Sequence, residues 1–503
     1  MSRSTITFNS SCLFMRNTTL LKTVALTVSL LALTTPSNGQ GFLKKLKDAA
    51  NNATEKVNTA VDNAGSASSG AVAVPRASGP TYYVSRSGSN KNDGLSPSTA
   101  VKNIQKAIDL ASEGSEIRVA EGNYFGLLNK GNIIIDKPLV IMGGYNADFS
   151  ERDVLKYLTT IAPDDNSNGS SQGRGTIQIR SIEKPASTLV IDGFVFNKGN
   201  AIGYNLRGEG WPEGVETPFM MREGSKGQGG PNLENKEVYT QETYFIYFDG
   251  VAGKVNNLNV FVRNCTFVNG PNTTICGLLK GSLTVDNCAF INNRVTTMDV
   301  RGPDPNAITK VNFRNNTVLF VWSYTKDLQS QGFGFRFQPG TSCTLENNII
   351  GLTIFAGLDR THIDSDANRE AKRHDAVKNN IFFLNRITDL TIPGGGMLTR
   401  VKVEDFDDVE AIAESSGNKS LTDPALFKGK IDEAYLNGFL SVSYKETTSY
   451  NPNSAANTFR SAMGMNMTGT MTSSVSMYFN RYPWQKALDV FGAVPGCGAQ
   501  IPR

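Results

Sequence analysis

Short runs of alternating apolar and polar residues recur through the chain, each broken by a polar corner. The runs are Ile191-Asp192-Gly193-Phe194-Val195-Phe196, Val262-Arg263-Asn264-Cys265-Thr266-Phe267, Val285-Asp286-Asn287-Cys288-Ala289-Phe290, Phe313-Arg314-Asn315-Asn316-Thr317-Val318, Leu345-Glu346-Asn347-Asn348-Ile349-Ile350 and Val377-Lys378-Asn379-Asn380-Ile381-Phe382. Alternation on both sides of a bend predicts two short strands that meet at a corner and send Val, Leu, Phe or Cys inward. Counted from Gly193 or the first Asn of each run, the gaps are 71, 23, 28, 32 and 32 residues. A gap in the twenties is one coil of a stacked solenoid. On that scale the gap of 71 predicts two or three coils, with much of its length spent on a turn-rich loop near 204–235. Asn suits the corner because it tolerates left-handed backbone angles, and stacked copies can hydrogen-bond along the axis. Cys265 and Cys288 hold one register a coil apart and read as core thiols more readily than as a bridge.

Ahead of the repeats, Tyr82-Tyr83-Val84-Ser85 and the turn-rich Ser87 to Pro97 lead into a predicted helix with Val101, Ile104, Ala107, Ile108 and Ala111 on one face, then strand-like Ile117-Arg118-Val119. The segment from Tyr82 to about Val119 resembles the opening of many secreted right-handed parallel β-helix proteins of the pectate-lyase-like superfamily. The resemblance implies an all-β fold, a parallel β-helix solenoid whose N-terminal helix caps the first coil, where strand edges and an apolar core would otherwise lie open. Asp423-Pro424-Ala425-Leu426-Phe427 and Asp489-Val490-Phe491-Gly492-Ala493 resemble, more loosely, the segments that leave the coils and cover the C-terminal end. The Met/Ser/Thr-rich stretch from Met463 to Met477 matches no such pattern.

The extreme N-terminus reads as an export signal. Arg3, Arg16 and Lys22 precede the apolar run Val24 to Leu33, and Ser37-Asn38-Gly39 suit cleavage before Gln40. The run is too short to span a bilayer. Residues 1–39 are therefore expected to be a signal peptide, 40–80 an amphipathic helix (Leu46, Ala50, Ala53, Val57, Val61) with a flexible linker, 81–420 the solenoid and 421–503 the closing segment. The expected location is secreted, periplasmic or cell-surface, with no transmembrane segment in the mature chain. Forty-eight Gly in 503 residues fit a turn-rich strand protein. The formal charge of only +4, without a long Lys/Arg block, argues against nucleic acid as a partner. Beyond the signal five Cys remain, with no CxxC spacing, which argues against a zinc site or a catalytic thiol.

Ligands of such a solenoid lie along an outward face, so chemistry is sought where polar side chains point out on consecutive coils. Alternation puts Asp299 and Arg301 outside on one coil and Arg336 and Gln338 outside on a later one. Asp359-Arg360-Thr361-His362-Ile363-Asp364-Ser365-Asp366 is the densest polar segment. What the resemblance implies for these residues is recognition of an acidic polysaccharide. Its lyases eliminate across a uronate, which needs calcium or Arg to neutralise the carboxylate and a base to take the adjacent proton. Arg336, Arg360 and His362 are then the catalytic candidates, and Asp359, Asp364 and Asp366 the candidate calcium ligands. Asp299, Arg301, Trp211, Tyr244 and Tyr247 are the candidate sugar contacts, the aromatics by stacking. A hydrolase would instead need two carboxylates about 5 to 9.5 Å apart. Against both stands a solvated ladder of salt bridges between coils, the default for outward strand positions. Two functions follow: binding and cleavage of an acidic polysaccharide, or a noncatalytic rod for adhesion or structure.

Overall fold

A computed structural model describes residues 76–126, 132–162, 175–198, 244–250, 253–322, 332–394, 398–443, 451–465 and 481–502. The expected signal peptide, the 40–63 helix, Trp211, the 204–235 loop and most of Met463–Met477 lie outside them. Each coil runs through three sheets in turn, as in Ile275–Leu278 (sheet C), Ser282–Asp286 (sheet A) and Ala289–Asn293 (sheet B). Among the described residues sheet A has ten strands from Thr81–Val84 to Glu414–Ser416, and sheet B nine from Gly122–Tyr124 to Lys419–Ser420. Sheet C has five strands from Ile133–Ile135 to Met298–Arg301, then a break, then four from Phe333–Arg336 to Thr399–Val401. The strands pair in parallel except the last two of sheet C, where Thr388–Ile392 meets Thr399–Val401 antiparallel.

The corner between sheets A and B is where the sequence dictates the shape. Asn264, Asn287, Asn315, Asn347 and Asn379 all adopt positive φ, between 49° and 58°, and Gly193 takes the same position at 80°. Asn tolerates this left-handed conformation, which a β-branched residue would resist. The next residue points inward. It is Phe194, Cys265 and Cys288 in earlier coils, then Asn316, Asn348, Asn380 and Asn418. In this inner ladder Asn348 Oδ1 accepts from the Asn316 backbone N–H (2.9 Å) and side-chain amide (3.2 Å), while its Nδ2 donates to Phe313 O and Asn380 Oδ1, both at 2.8 Å. Buried amides are thereby satisfied coil by coil. Cys265 and Cys288 are buried free thiols. Beside them Phe196, Phe267 and Phe290 stack with centroids 4.9 and 5.0 Å apart. The helix expected ahead of the coils spans Ile104–Leu110 and buries Ile104, Ala107 and Ile108 in the same core as Ile117, Val119, Ile133 and Ile135.

Two expectations are corrected. The 71-residue gap is one coil, because Glu183–Asp192 pairs directly with Asn257–Arg263 in sheet A and Val195–Asn197 with Thr266–Gly270 in sheet B. The excess length lies between sheets B and C of that single coil. Nor does the whole closing segment cover the C-terminal end. Val403, Phe406, Val409 and Ile412 complete the core there, whereas Phe427, Tyr435, Leu436, Phe439, Tyr482, Val490 and Phe491 pack on the outer face of sheet B against Val268, Ile291, Leu319, Phe320 and Trp322. The central strands of sheet B are accordingly buried on both faces, as in Thr266–Gly270 and Ile349–Thr353. Side-chain amides of the coils grip this segment by its backbone. Asn269 accepts from Tyr482 N (2.8 Å) and donates to Tyr482 O (3.0 Å), and Asn287 does the same to Gln500 at 2.6 and 3.0 Å. Gly498, at φ 72°, lies where a Cβ would meet Ile349 and Thr317.

Replacing Asn348 by Ala removes four hydrogen bonds at a buried site and is expected to cost at least about 3 kcal/mol. Asn312→Ala, on the outer face of sheet A, should stay within about 0.5 kcal/mol. Urea unfolding of the two variants beside the wild type checks both.

Candidate functional site

Sheet C carries the candidate residues in two outward columns. Gln178, Tyr247, Cys276 and Asp299 are register partners on four successive coils. Two residues on, Arg180 pairs with Asp249 and Leu278 with Arg301, one coil following another. Ile177, Ile246, Ile275 and Met298 alternate with these into the core. Beyond the break the first column continues as Arg336, Asp359 and Thr391. Between Met298–Arg301 and Phe333–Arg336 the sheet is held by a bridge at Thr296 and Phe333 and by Gly302 N donating to Pro339 O at 3.1 Å.

The charged residues meet at this break. Arg336 Nε lies 2.8 Å from Asp359 Oδ2 and Nη1 is 4.0 Å from Asp299 Oδ2, with the guanidinium over the Phe333 ring at 4.7 Å. Asp359 also accepts from Thr361 N (3.1 Å), Thr361 Oγ1 (2.6 Å) and Thr391 Oγ1 (3.2 Å). Arg301 reaches Asp299 through Nε at 3.4 Å and is 53% exposed. His362 Nδ1 stands 3.6 Å from Asp359 Oδ2 and its side chain is 38% exposed. Burial is the largest influence on this imidazole and holds its pKa below the usual histidine value. Asp359 and Asp299 pull it up while Arg336 and Arg301 push it down. His362 is thus biased toward the neutral form. Cys276 lies between Tyr247 and Asp299, and burial, with Asp299 beside it, pushes its thiol up to about 12, which disfavours the thiolate.

Arg336 and Arg360 were expected to face a ligand, and the structure corrects this. Their side chains are only 8% and 7% exposed. Arg360 is spent on the turn at 361–375, with Nε 2.7 Å from Asp375 Oδ2 and Nη2 2.6 Å from Glu370 Oε1, and Arg373 completes the cluster at 2.9 Å from Glu370 and 3.2 Å from Asp375. The candidate calcium ligands are committed too. Arg369 grips Asp364 through Nε (2.5 Å) and Nη2 (2.9 Å), holding that carboxyl below its ordinary range. Asp366 Oδ1 caps the short helix Ala367–Glu370 by accepting from the N–H groups of Asn368 and Arg369. Among the described residues no three His, Cys, Asp or Glu side chains are placed to hold a metal ion. Asp359, Asp364 and Asp366 are thus each engaged by protein donors rather than gathered about a common centre. Gln338, expected outside, is buried. His374 sits apart, on Glu414 at 2.6 Å. Reading the sequence did not single out Arg369, Glu370, Arg373 and Asp375; their run of opposite charges within seven residues was the available signal.

Tyr244 and Tyr247 stack on each other with centroids 5.2 Å apart and planes 13° from parallel, both half-buried. Tyr247 lies two coils from Asp299, so an aromatic surface and the exposed Arg301 share one face.

A three-sheet coil with these corners is a right-handed parallel β-helix. The sequence family described as "right handed beta helix region" matches residues 224–367. Solved structures that resemble the chain include a rhamnogalacturonan lyase (14% identity, TM-score 0.38, covering 71% of this chain and 92% of that one). Pectate lyase Pel9A is similar at 12% identity and TM-score 0.34, over 70% and 78% of the two chains. A complex of XylC with xylose follows at 9% and 0.16, over 62% and 86%. At such scores these likenesses carry no argument about chemistry. No curated protein matches the sequence.

Arg360→Ala leaves Asp375 and Glu370 short of a partner in a buried cluster and is expected to destabilise by about 3–5 kcal/mol. Arg301→Ala, at an exposed pair, should change stability by less than about 0.5 kcal/mol. Thermal unfolding of the two variants separates the structural arginine from the one available to a ligand.

Proposed function

We propose that the protein is an exported β-helix that binds an acidic polysaccharide along the outer face of sheet C and cleaves it by β-elimination. The observation that carries this reading is the pairing of an exposed guanidinium, Arg301, with a half-exposed imidazole biased to its neutral form, His362, around the Asp299–Arg336–Asp359 cluster. Arg301 would pair with the uronate carboxylate and so acidify the neighbouring C–H. With Nδ1 turned to Asp359, Nε2 of His362 would take the proton as a double bond forms and the bond to the leaving sugar oxygen breaks, that oxygen taking up a proton from water to depart as the alcohol. The Tyr244/Tyr247 pair supplies an apolar surface for a sugar ring. Export is supported by the apolar run from Val24 to Leu33 behind basic residues. Among the described residues no helix is long and apolar enough to cross a membrane.

A second reading, a noncatalytic binding or structural rod, is favoured by the burial of Arg336 and Arg360, which leaves one exposed arginine at the cluster. Ultraviolet absorbance of unsaturated product from a panel of uronate polysaccharides decides between the two. Product is expected, equal with calcium and with chelator, and reduced at least 100-fold in His362→Ala, the usual scale for a general base. Binding that Arg301→Ala weakens, without product on any substrate, would establish the rod.

The pH profile gives a separate check. Because the imidazole pKa is lowered, the base-competent neutral form should persist below the ordinary histidine value of about 6.5. Activity is then expected to hold as pH falls through 6.5 and to drop only at lower pH. A drop centred above 6.5 would exclude His362 as the base.

A further inference from the structure

Arg180 was not singled out by the sequence, yet it occupies the same outward column as Arg301. Asp249 and Leu278 hold the two positions between them, so the arginines stand three coils apart. At about 4.8 Å per parallel strand this is roughly 14 Å along the axis. Their surroundings match. Arg180 is 44% exposed and rests through Nε on the half-buried Asp249 at 3.7 Å, as Arg301 rests through Nε on Asp299 at 3.4 Å. Asp249 is in turn held by Gln178 Nε2 at 2.5 Å, which fixes the tether. A guanidinium tethered at Nε keeps its Nη pair for a second acceptor, the geometry that carboxylates engage in bidentate fashion. Between the two cations stand Asp249, already held by Arg180 and Gln178, and then an apolar position. Leu278 is 39% exposed, an outward leucine flanked by Tyr247 one coil earlier in the neighbouring column.

We infer that Arg180 is a second carboxylate contact for the polysaccharide, so that the ligand lies parallel to the solenoid axis and carries negative charges spaced to meet Arg180 and Arg301 together. The inference rests on the reading of sheet C as the polysaccharide face and deepens it, because it requires an anionic polymer long enough to span three coils. A short oligomer satisfies one arginine at a time. A long one engages both, and the second contact is then made at high effective concentration.

The test is calorimetric titration of the full chain with oligogalacturonates, dimers and trimers in one series and octamers and longer in another. Wild type should bind the long series at least tenfold more tightly. Arg180→Ala and Arg301→Ala should each erase most of that gain, about 5- to 10-fold, and Arg180→Ala should leave the affinity for the short series, which Arg301 still engages, within about twofold of wild type. Arg180→Lys, which keeps the charge without the fork, should recover part of the loss. A long-chain affinity that falls with Arg301→Ala and not with Arg180→Ala overturns the second contact and leaves the polysaccharide reading standing. An affinity that neither variant alters, or no binding in either series, overturns the reading and the inference with it.

Discussion

Everything in this molecule hangs on one backbone condition: every coil must turn at the same residue. A left-handed corner at Asn264, Asn287, Asn315, Asn347 and Asn379 meets it, and the in-line hydrogen bonds of the strands follow only because those corners superimpose. A corner displaced by one residue would invert the faces of both adjoining strands, turning Val285 or Phe313 outward and Asp286 or Arg314 into the apolar core. The amides of the inner ladder add a penalty for misplacement, since each satisfies the coil before it. Outward columns on sheet C inherit this regularity, which is how Tyr247, Asp299 and Arg301 come to share a face although up to 54 residues separate them.

The repeat was legible because its chemistry is local. Asn is the residue that accepts the corner's angles, and alternation marks inside from outside, so the corners, the inward Phe and Cys and the helix ahead of the coils could all be read from the chain. Counting residues between corners was not enough, because a coil with a long insertion and two or three plain coils have the same length. Only the direct pairing of Glu183–Asp192 with Asn257–Arg263 separates them. The two-sided burial of sheet B also left a trace, in runs such as Thr317-Val318-Leu319-Phe320-Val321 that have no polar alternate. What covers it comes from more than a hundred residues away and leaves no local mark.

At the candidate site the sequence revealed which face and not which atoms. Asp299, Arg301 and His362 stand on it as alternation and charge density indicated. Arg336 points out of the sheet and is nevertheless buried against Asp299 and Asp359, and Arg360, just past the strand end, is buried against Glu370 and Asp375. Charge density along the chain is the same whether the charges await a ligand or one another. Partner geometry decides, and for Asp364 it is Arg369, five residues on in the short helix that Asp366 caps.

The attachment of residues 482–500 to the flank of the coils has a consequence for the order of assembly. Coils of a solenoid stack one on the next and can form progressively as a chain emerges from its N-terminal side. Sheet B, however, is finished before its cover is made, since Asn269 and Asn287 each wait 213 residues for Tyr482 and Gln500. Through that interval the nascent solenoid carries an uncovered stripe of Val268, Ile291, Leu319 and Phe320, a surface prone to capture by other apolar chains. The segments after Phe427 therefore decide whether coils that are already stacked also stay in solution.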